Sequence, residues 1–352
     1  MLEDFKKILN FAIYAPSGEN CQPWEFSIKE NKILIFNLPE RDQSLYSWGQ
    51  RSSFLAHGAL IENIIIASKE LGYQSIVNLF PDQQNKNFVA SIELQKTNID
   101  KDPLFSFIDK RCTNRKHYQT NALSQEQKNN LFAAINVDGM VKMKLVENPS
   151  RIEKLSSYSS LSERVLFENR SLHDFFFEHI NWNKEEDEKK SIGFYLETLE
   201  LPPPAKIAFK LIKNWSILNL LNKIGFSKTV GKDNYKTHAA AAAHGIIYIE
   251  DDSEKQFIYA GRALQRMWLS ATMMGLSLQP MTGIIYLFLK IKAGETSDFT
   301  VSQINMIKNA YQIFSKEFSV ENKTISMYFR IGLADPPSAR SSRLPLELSL
   351  KK

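Results

Sequence analysis

Ala15-Pro16-Ser17-Gly18-Glu19-Asn20-Cys21-Gln22-Pro23-Trp24 is the stretch from which the rest of the chain is best read. It follows an amphipathic run, Phe5 to Ala12, that predicts a helix. Pro16 fixes its own φ and drives Ala15 out of the helical region, so the helix stops here. Pro23 constrains the exit. Between the prolines, Ser17, Gly18, Asn20 and Gln22 present a hydroxyl, a bare backbone N–H and two carboxamides that each donate and accept. Trp24 supplies a planar wall. Such groups suit the edge of a heteroaromatic ligand; they also suit a surface turn over a buried tryptophan, and the loop alone leaves both readings open.

Length and composition set bounds. A chain of 352 residues, 43% apolar and 11% aromatic, holds one large or two ordinary domains with a substantial core. No run reaches the roughly eighteen apolar residues of a membrane span, and Met1 to Lys7 does not read as a signal peptide, so a cytoplasmic protein without a membrane partner is expected. Cys21 and Cys112 are too few for a disulfide framework and lack metal-ligand spacing; no metal is expected. The net charge of +5 is spread along the chain, and the dense basic segment is Arg111-Cys112-Thr113-Asn114-Arg115-Lys116-His117. That pattern argues against nucleic acid and for a local anion such as a phosphate.

The chain also contains a candidate internal repeat. Gly58 to Gly72 reads GALIENIIIASKELG and Gly261 to Gly275 reads GRALQRMWLSATMMG, with the same spacing between glycines. Both predict helices closing on a glycine stop, apolar or small around most of their circumference, as at a packed interface. Unrelated buried helices ending in glycine can also look alike. Strands are expected at Lys32 to Leu38, Ile76 to Phe80, Phe88 to Leu94, Gly245 to Ile249 and Thr324 to Ile331. Ser124 reads as a helix N-cap, and Ala205 to Ile224 as helical. Asp102-Pro103 marks a seam between residues 1–102 and 103–352. Residues 156–233 read as an insertion, either a helical lid or extra surface helices. His244 reads as a satisfied structural histidine.

The loop resembles the A-P-S-x-x-N-x-Q-P-W motif of the nitroreductase family of flavoproteins, whose helix end lies against FMN at a subunit interface. The resemblance implies an α+β, nitroreductase-like fold made of two fused copies, an intrachain pseudo-dimer with a helical lid insertion, and hence a monomer. Arg111-Cys112-Thr113-Asn114-Arg115 resembles the family's R-x-S-x-R/K segment, with Thr113 keeping the hydroxyl; Arg111, Thr113 and Arg115 would meet the phosphate and ribityl chain. The family's K-x-R-L ending matches at Arg343, but Ser341 stands where the lysine would be, with Arg340 as the neighbouring substitute. Gln279-Pro280-Met281-Thr282-Gly283 resembles the P-x-x-G segment over the flavin ring, which would place Pro280, Met281, Thr282 and Gly283 near N5. Pro16, Ser17, Gly18, Asn20 and Gln22 of the first copy would complete this site. The mirror-related site lacks both segments, reading Tyr73-Gln74-Ser75-Ile76-Val77 after Gly72, so one FMN per chain is expected.

By this resemblance the flavin N5 carries the chemistry and no protein side chain is catalytic. The implied reaction is ping-pong hydride transfer from NAD(P)H to a small electron-poor acceptor, nitroaromatic or quinone-like. No G-x-G-x-x-G fingerprint occurs, and none is required where the nicotinamide stacks directly on flavin. Phe175, Phe176, Phe177 and Trp215 are candidate stacking partners, though core packing explains each equally. The tandem arrangement with a lid is similar to the Acg-like branch of the family. That branch implies an alternative: an FMN-binding, sequestering protein with little turnover. A flavin dehydrogenase or reductase dedicated to one metabolite is the third reading.

Overall fold

Two four-stranded antiparallel sheets with the same connectivity are joined through a pair of crossed helices in the computed structural model, which describes residues 1–137 and 139–351. The first half runs α1 (Leu2–Ala12), β1 (Trp24–Lys29), β2 (Lys32–Asn37), α2 (Arg51–Glu70), β3 (Tyr73–Leu79) and β4 (Phe88–Lys96), ordered β1-β2-β4-β3. The second begins with α3 (Gln125–Ala134), which carries the expected Ser124 cap as a full capping box, and β5 (Lys142–Val146). A helical excursion follows: α4 (Pro149–Ser159), α5 (Leu161–Glu168), α6 (Arg170–Glu178), β6 (Ile180–Asn181), α7 (Lys184–Lys190), β7 (Phe194–Tyr195), α8 (Pro203–Ile212), α9 (Trp215–Asn222) and α10 (Phe226–Ala239). The chain then returns through β8 (Ala243–Ile249), α11 (Glu254–Met273), β9 (Ser277–Pro280), α12 (Gly283–Lys292), α13 (Val301–Glu317) and β10 (Thr324–Gly332). The second sheet is ordered β5-β8-β10-β9, matching the first position for position, with α11 where α2 stands.

The repeated glycines explain how α2 and α11 meet. A Cβ on Gly58 would lie 2.0 Å from the Ile258 carbonyl oxygen, and one on Gly261 would lie 1.9 Å from that of Leu55. Only hydrogen fits at either point, so the two backbones touch where the two segments begin. At their far ends Gly72 and Gly275 share the same left-handed φ of +72°, the conformation that stops a helix. The crossing carries a buried polar seam: Glu62 accepts from Arg262 at 3.0 Å and Arg266 at 2.8 Å, Arg266 also reaches Asp102 at 2.5 Å, and Gln265 donates to Asn63 at 2.7 Å. Asn63 in turn donates to the Ala12 carbonyl, tying down the end of α1 immediately before the proline-bounded loop.

Several local readings need correction. Trp24 is no ligand wall: it opens β1, is fully buried and meets His57 edge-on at 6.4 Å. The helical run Ala205 to Ile224 divides into α8 and α9 because Asn214 caps a new helix, accepting from the Ser216 and Ile217 amides. The excursion between β5 and β8 is mainly helical and extends from Pro149 to Ala239, on both sides of 156–233, with the short β6 and β7 within it. A second excursion, α12 and α13, was not anticipated; it joins β9 to β10, where the first half has only the short link from Leu79 to Phe88. His244 is structural, bonded to the His238 carbonyl at 2.8 Å and the Tyr328 hydroxyl at 2.5 Å.

After β10 the tail leaves its own half. Phe26 donates to the Ser349 carbonyl and Lys351 donates to the Phe26 carbonyl, each at 2.7 Å, so Leu350 lies along the edge of β1 in the first sheet. The intervening residues carry Arg340 and Arg343 to the loop at the end of α1.

Candidate functional site

Three residues of that loop, Glu19, Asn20 and Gln22, hold left-handed φ values of 44°, 56° and 49°. A side chain in this region costs about 1–3 kcal/mol, so the surroundings must enforce it. They do so through both carboxamides. Asn20 donates to the carbonyls of Ser342 at 2.9 Å and Ser191 at 3.3 Å, and its oxygen accepts from Arg343. Gln22 donates to the Ser191 carbonyl at 2.6 Å and accepts from the Leu344 amide at 3.0 Å. Gln22 is therefore engaged at both ends by protein and positions the loop; it does not offer its amide to a ligand edge. Ser17 accepts from the Gln22 amide at 3.0 Å. Pro16 is half-buried, and Gly18 is exposed with open space around its missing Cβ.

Beside this loop the structure brings together Arg111, Arg340 and Arg343. Arg111 is buried 4.4 Å above the Trp268 ring and donates to the Tyr14 carbonyl at 2.9 Å, yet its Nε has no partner. Arg343 also keeps a buried, unpaired Nε while donating to Asn20. Arg340 donates to the Asp109 and Lys110 carbonyls. Burial, then the neighbouring Arg343, pulls Arg111 down to about 9, which still leaves it charged at neutral pH. The acidic neighbour of Arg343, Asp187, has its carboxylate on the Ser342 amide and hydroxyl at 2.8 and 2.7 Å. Among the described residues none of the three arginines forms an ion pair with a carboxylate. Confined like charges with open donors are the chemistry of an anion site.

Other expected members fall elsewhere. Arg115 leaves the cluster: it donates to the Thr198 carbonyl at 3.0 Å and lies 5.4 Å over Phe194, because the excursion supplies a closer acceptor. Thr113 forms an isolated bridge with Leu278. Pro280 pairs with Phe329, and the Met281 amide donates to the Tyr328 carbonyl at 2.8 Å, so that amide is unavailable to a ring. Thr282 precedes α12 and Gly283 begins it. A Cβ on Gly283 would stand 2.9 Å from Ser162 Cβ and 3.6 Å from the Tyr46 ring, so α5 and the Tyr46 segment converge there. Phe175, Phe176, Phe177 and Trp215 are not stacking partners but part of the excursion's own core. Phe177 packs on Phe209 at 4.8 Å, Trp215 sits against His173 at 5.2 Å, and Phe175 lies on His179 at 4.2 Å.

Sequence reasoning missed Glu19, Tyr46 and Glu163: Tyr46 stands beside Gly283, and the charges of both glutamates act on it. Each keeps part of its surface accessible, yet loss of solvation dominates its electrostatics, as expected for the walls of a narrow cleft. Burial raises Glu163 to about 7; burial and then Asp42 raise Glu19 to about 8. The Glu163 carboxyl also takes the Ser162 hydroxyl at 3.0 Å. Glu19 therefore keeps its proton at neutrality, and Glu163 is about half protonated there. Glu19 stood within the quoted loop, but no local pattern marks Tyr46 or Glu163, which arrive from distant segments.

The excursion straps the tail across the cluster. Tyr195 donates its amide to Ser341 Oγ at 3.0 Å, and Ser338 donates amide and hydroxyl to Glu200 at 2.6 and 2.8 Å. The described residues contain no His, Cys, Asp and Glu grouping able to hold a metal, and none of their helices is long and apolar enough to cross a membrane.

No family model matches the chain. It is 29% identical over 118 residues to a putative NAD(P)H nitroreductase of Mycobacterium tuberculosis, a stretch covering 33% of this chain and 34% of that protein. Over that third of its length it is similar to a nitroreductase. Over 337 residues, 94% of its length, this nitroreductase-like chain is also 22% identical to an uncharacterized protein of the same organism, of which it covers 46%. It thus spans less than half the length of the curated relatives it matches. Similar solved structures include the FMN-dependent nitroreductase NfnB from Mycobacterium smegmatis in complex with NADPH (12% identity, 70% of this chain and 96% of that one, TM-score 0.40). A nitroreductase with bound FMN from Bacteroides fragilis is another (11% identity, 70% and 95%, TM-score 0.37).

Proposed function

We propose that the nitroreductase-like chain is an FMN-dependent oxidoreductase that passes hydride from NAD(P)H to a small electron-poor acceptor, nitroaromatic or quinone-like, by a ping-pong mechanism. The observation that carries this reading is the pair Arg111 and Arg343, each with a buried, unpartnered Nε and with the exposed Arg340 beside them, a set of donors that fits a dianionic phosphate. When bound, FMN supplies the two-electron chemistry. The chain supplies the rest. Arg111 and Arg343 hold the phosphate, and Asn20 orients Arg343. Glu19, which keeps its proton at neutrality, and Glu163, about half protonated there, are the groups that would give protons to a reduced acceptor.

Matching sheet orders and the glycine-to-glycine crossing support two fused halves, 1–102 and 103–352, and hence a monomer whose site draws on both. Because the mirror-related position lacks both the arginine segment and the P-x-x-G segment, we propose one FMN per chain.

A specific observation favours the alternative of an FMN-sequestering protein with little turnover: Ser162 and Tyr46 crowd Gly283 while the strap closes over the tail. An anaerobic absorbance record of the purified protein on adding NADH, then NADPH, then a quinone or nitroaromatic separates the two. Bleaching followed by reoxidation is expected; bound flavin that neither nicotinamide bleaches would assign sequestration.

A further inference from the structure

The excursion presents an outer face that its own packing leaves uncovered. On α8, Ile207 and Leu211 lie four residues apart and are 67% and 57% exposed. On and just beyond α9, Ile217, Leu220 and Ile224 follow at helical spacing, with Leu220 64% and Ile224 83% exposed. Five of the fifteen exposed large apolar side chains of the described chain thus fall between residues 207 and 224. The inner sides are fully engaged: Phe209, Ile212 and Leu218 are buried, and the Ile212 carbonyl meets His173 Nε2 at 2.8 Å. The outer ridge contributes little to the fold.

Its charge is as one-sided as its packing. Lys206, Lys210, Lys213, Lys223, Lys228 and Lys232 lie between Pro203 and Lys232 with no acidic residue among them, in a chain whose overall balance is 44 basic to 39 acidic. Among the described residues only Lys206 of these six is ion-paired, to Glu197. A second copy of the same face is a poor occupant, because a two-fold contact would set this lysine rim against itself. An anionic lipid surface complements both features: short amphipathic helices lie in the plane of the interface with apolar side chains at the acyl boundary and lysines among the phosphates.

We infer that the α8–α9 hairpin is a peripheral docking surface for anionic membranes. This revises the expectation of no membrane partner. That expectation rested on the lack of a continuous apolar run, whereas here the apolar residues are interleaved with lysines and asparagines. The inference goes beyond the flavin reading and stands or falls separately from it.

The test is co-sedimentation of the full chain with vesicles of phosphatidylcholine alone and of phosphatidylcholine mixed with phosphatidylglycerol, at low and high salt. Binding is expected to the anionic vesicles and to weaken with salt. Leu220→Asp with Ile224→Asp abolishes it, and Lys210→Gln with Lys223→Gln weakens it by about tenfold or more. Both pairs of sites are exposed, and an unchanged circular dichroism spectrum and Tm identify variants that still fold. Protein left in the supernatant with both vesicle types overturns the inference, as does binding indifferent to the aspartate variant. So does a stable dimer dissolved by that variant, which would give the face to a second copy.

Discussion

Arg111 and Arg343 repel each other across a space that both leave half-coordinated, an arrangement that costs the folded chain something until an anion arrives. Arg111→Ala combined with Arg343→Ala is therefore expected to weaken FMN binding by about a hundredfold or more, at roughly 1.5–3 kcal/mol per charge-assisted hydrogen bond. Riboflavin, which lacks the phosphate, should be affected far less, and Tm without flavin should not fall. Flavin fluorescence titration measures the first two; an equal loss for riboflavin would show that the cluster does not hold the phosphate. These arginines were legible because a buried cation must be matched, and their spacing fits a family pattern. Gln22 was less legible, since a carboxamide advertises hydrogen bonds without saying to whom. Arg115 was misplaced for a related reason: its partner, the Thr198 carbonyl, is a backbone group of a distant segment.

Between α2 and α11 the glycines act as a pair, so the fold itself is tested there. Gly58→Ala or Gly261→Ala puts a methyl group about 2 Å from a carbonyl oxygen of the opposite helix, which only a shift of the helix can relieve. A loss of about 3 kcal/mol or more is expected, read as a large drop in Tm or in soluble yield. Gly18→Ala is the control, because its Cβ would meet nothing within 4 Å; its unfolding midpoint should match that of the unaltered protein. At this scale much was readable. Glycine spacing foretold the helix pair, and alternating burial in β2 and β4 follows the sequence pattern. What could not be read was where the inserted helices belong. The periodicity of α4, α10, α12 and α13 reports an apolar face, not the surface that covers it.

Over the whole molecule, two sets of buried groups set opposite pH limits. Burial lowers His57 and His238 to about 3 and His244 to about 4, so unfolding lets them take up protons and stability falls as pH drops below about 6.5. Glu19 and Glu163 are raised to about 8 and about 7, so the folded chain keeps protons that the unfolded chain has released. Their contribution declines as pH climbs from about 4.5 to about 8. Between 4.5 and 6.5 the three histidines outweigh the two glutamates; above that only the glutamates act. Urea midpoints should peak near pH 6.5, and Glu163→Gln should flatten the alkaline limb. A profile still rising at pH 8 would contradict the burial of both acids. Of these groups only His244 was legible in sequence, as a structural histidine; the acids were not, because Glu19 and Glu163 lose solvation only where distant segments pack around them.

The tail that delivers Arg340 and Arg343 has a second consequence. By bonding Ser349 and Lys351 to Phe26 it caps the outer edge of β1, whose unpaired amides and carbonyls would otherwise be open to another chain. Removing residues 346–351 should therefore do more than loosen the arginines. Light scattering of the concentrated protein should rise, through strand-to-strand association seeded at β1, even where the chain keeps its core. The same tail carries the proposed phosphate-binding arginines and covers a sheet edge, so substitutions that slacken it would surface first as aggregation.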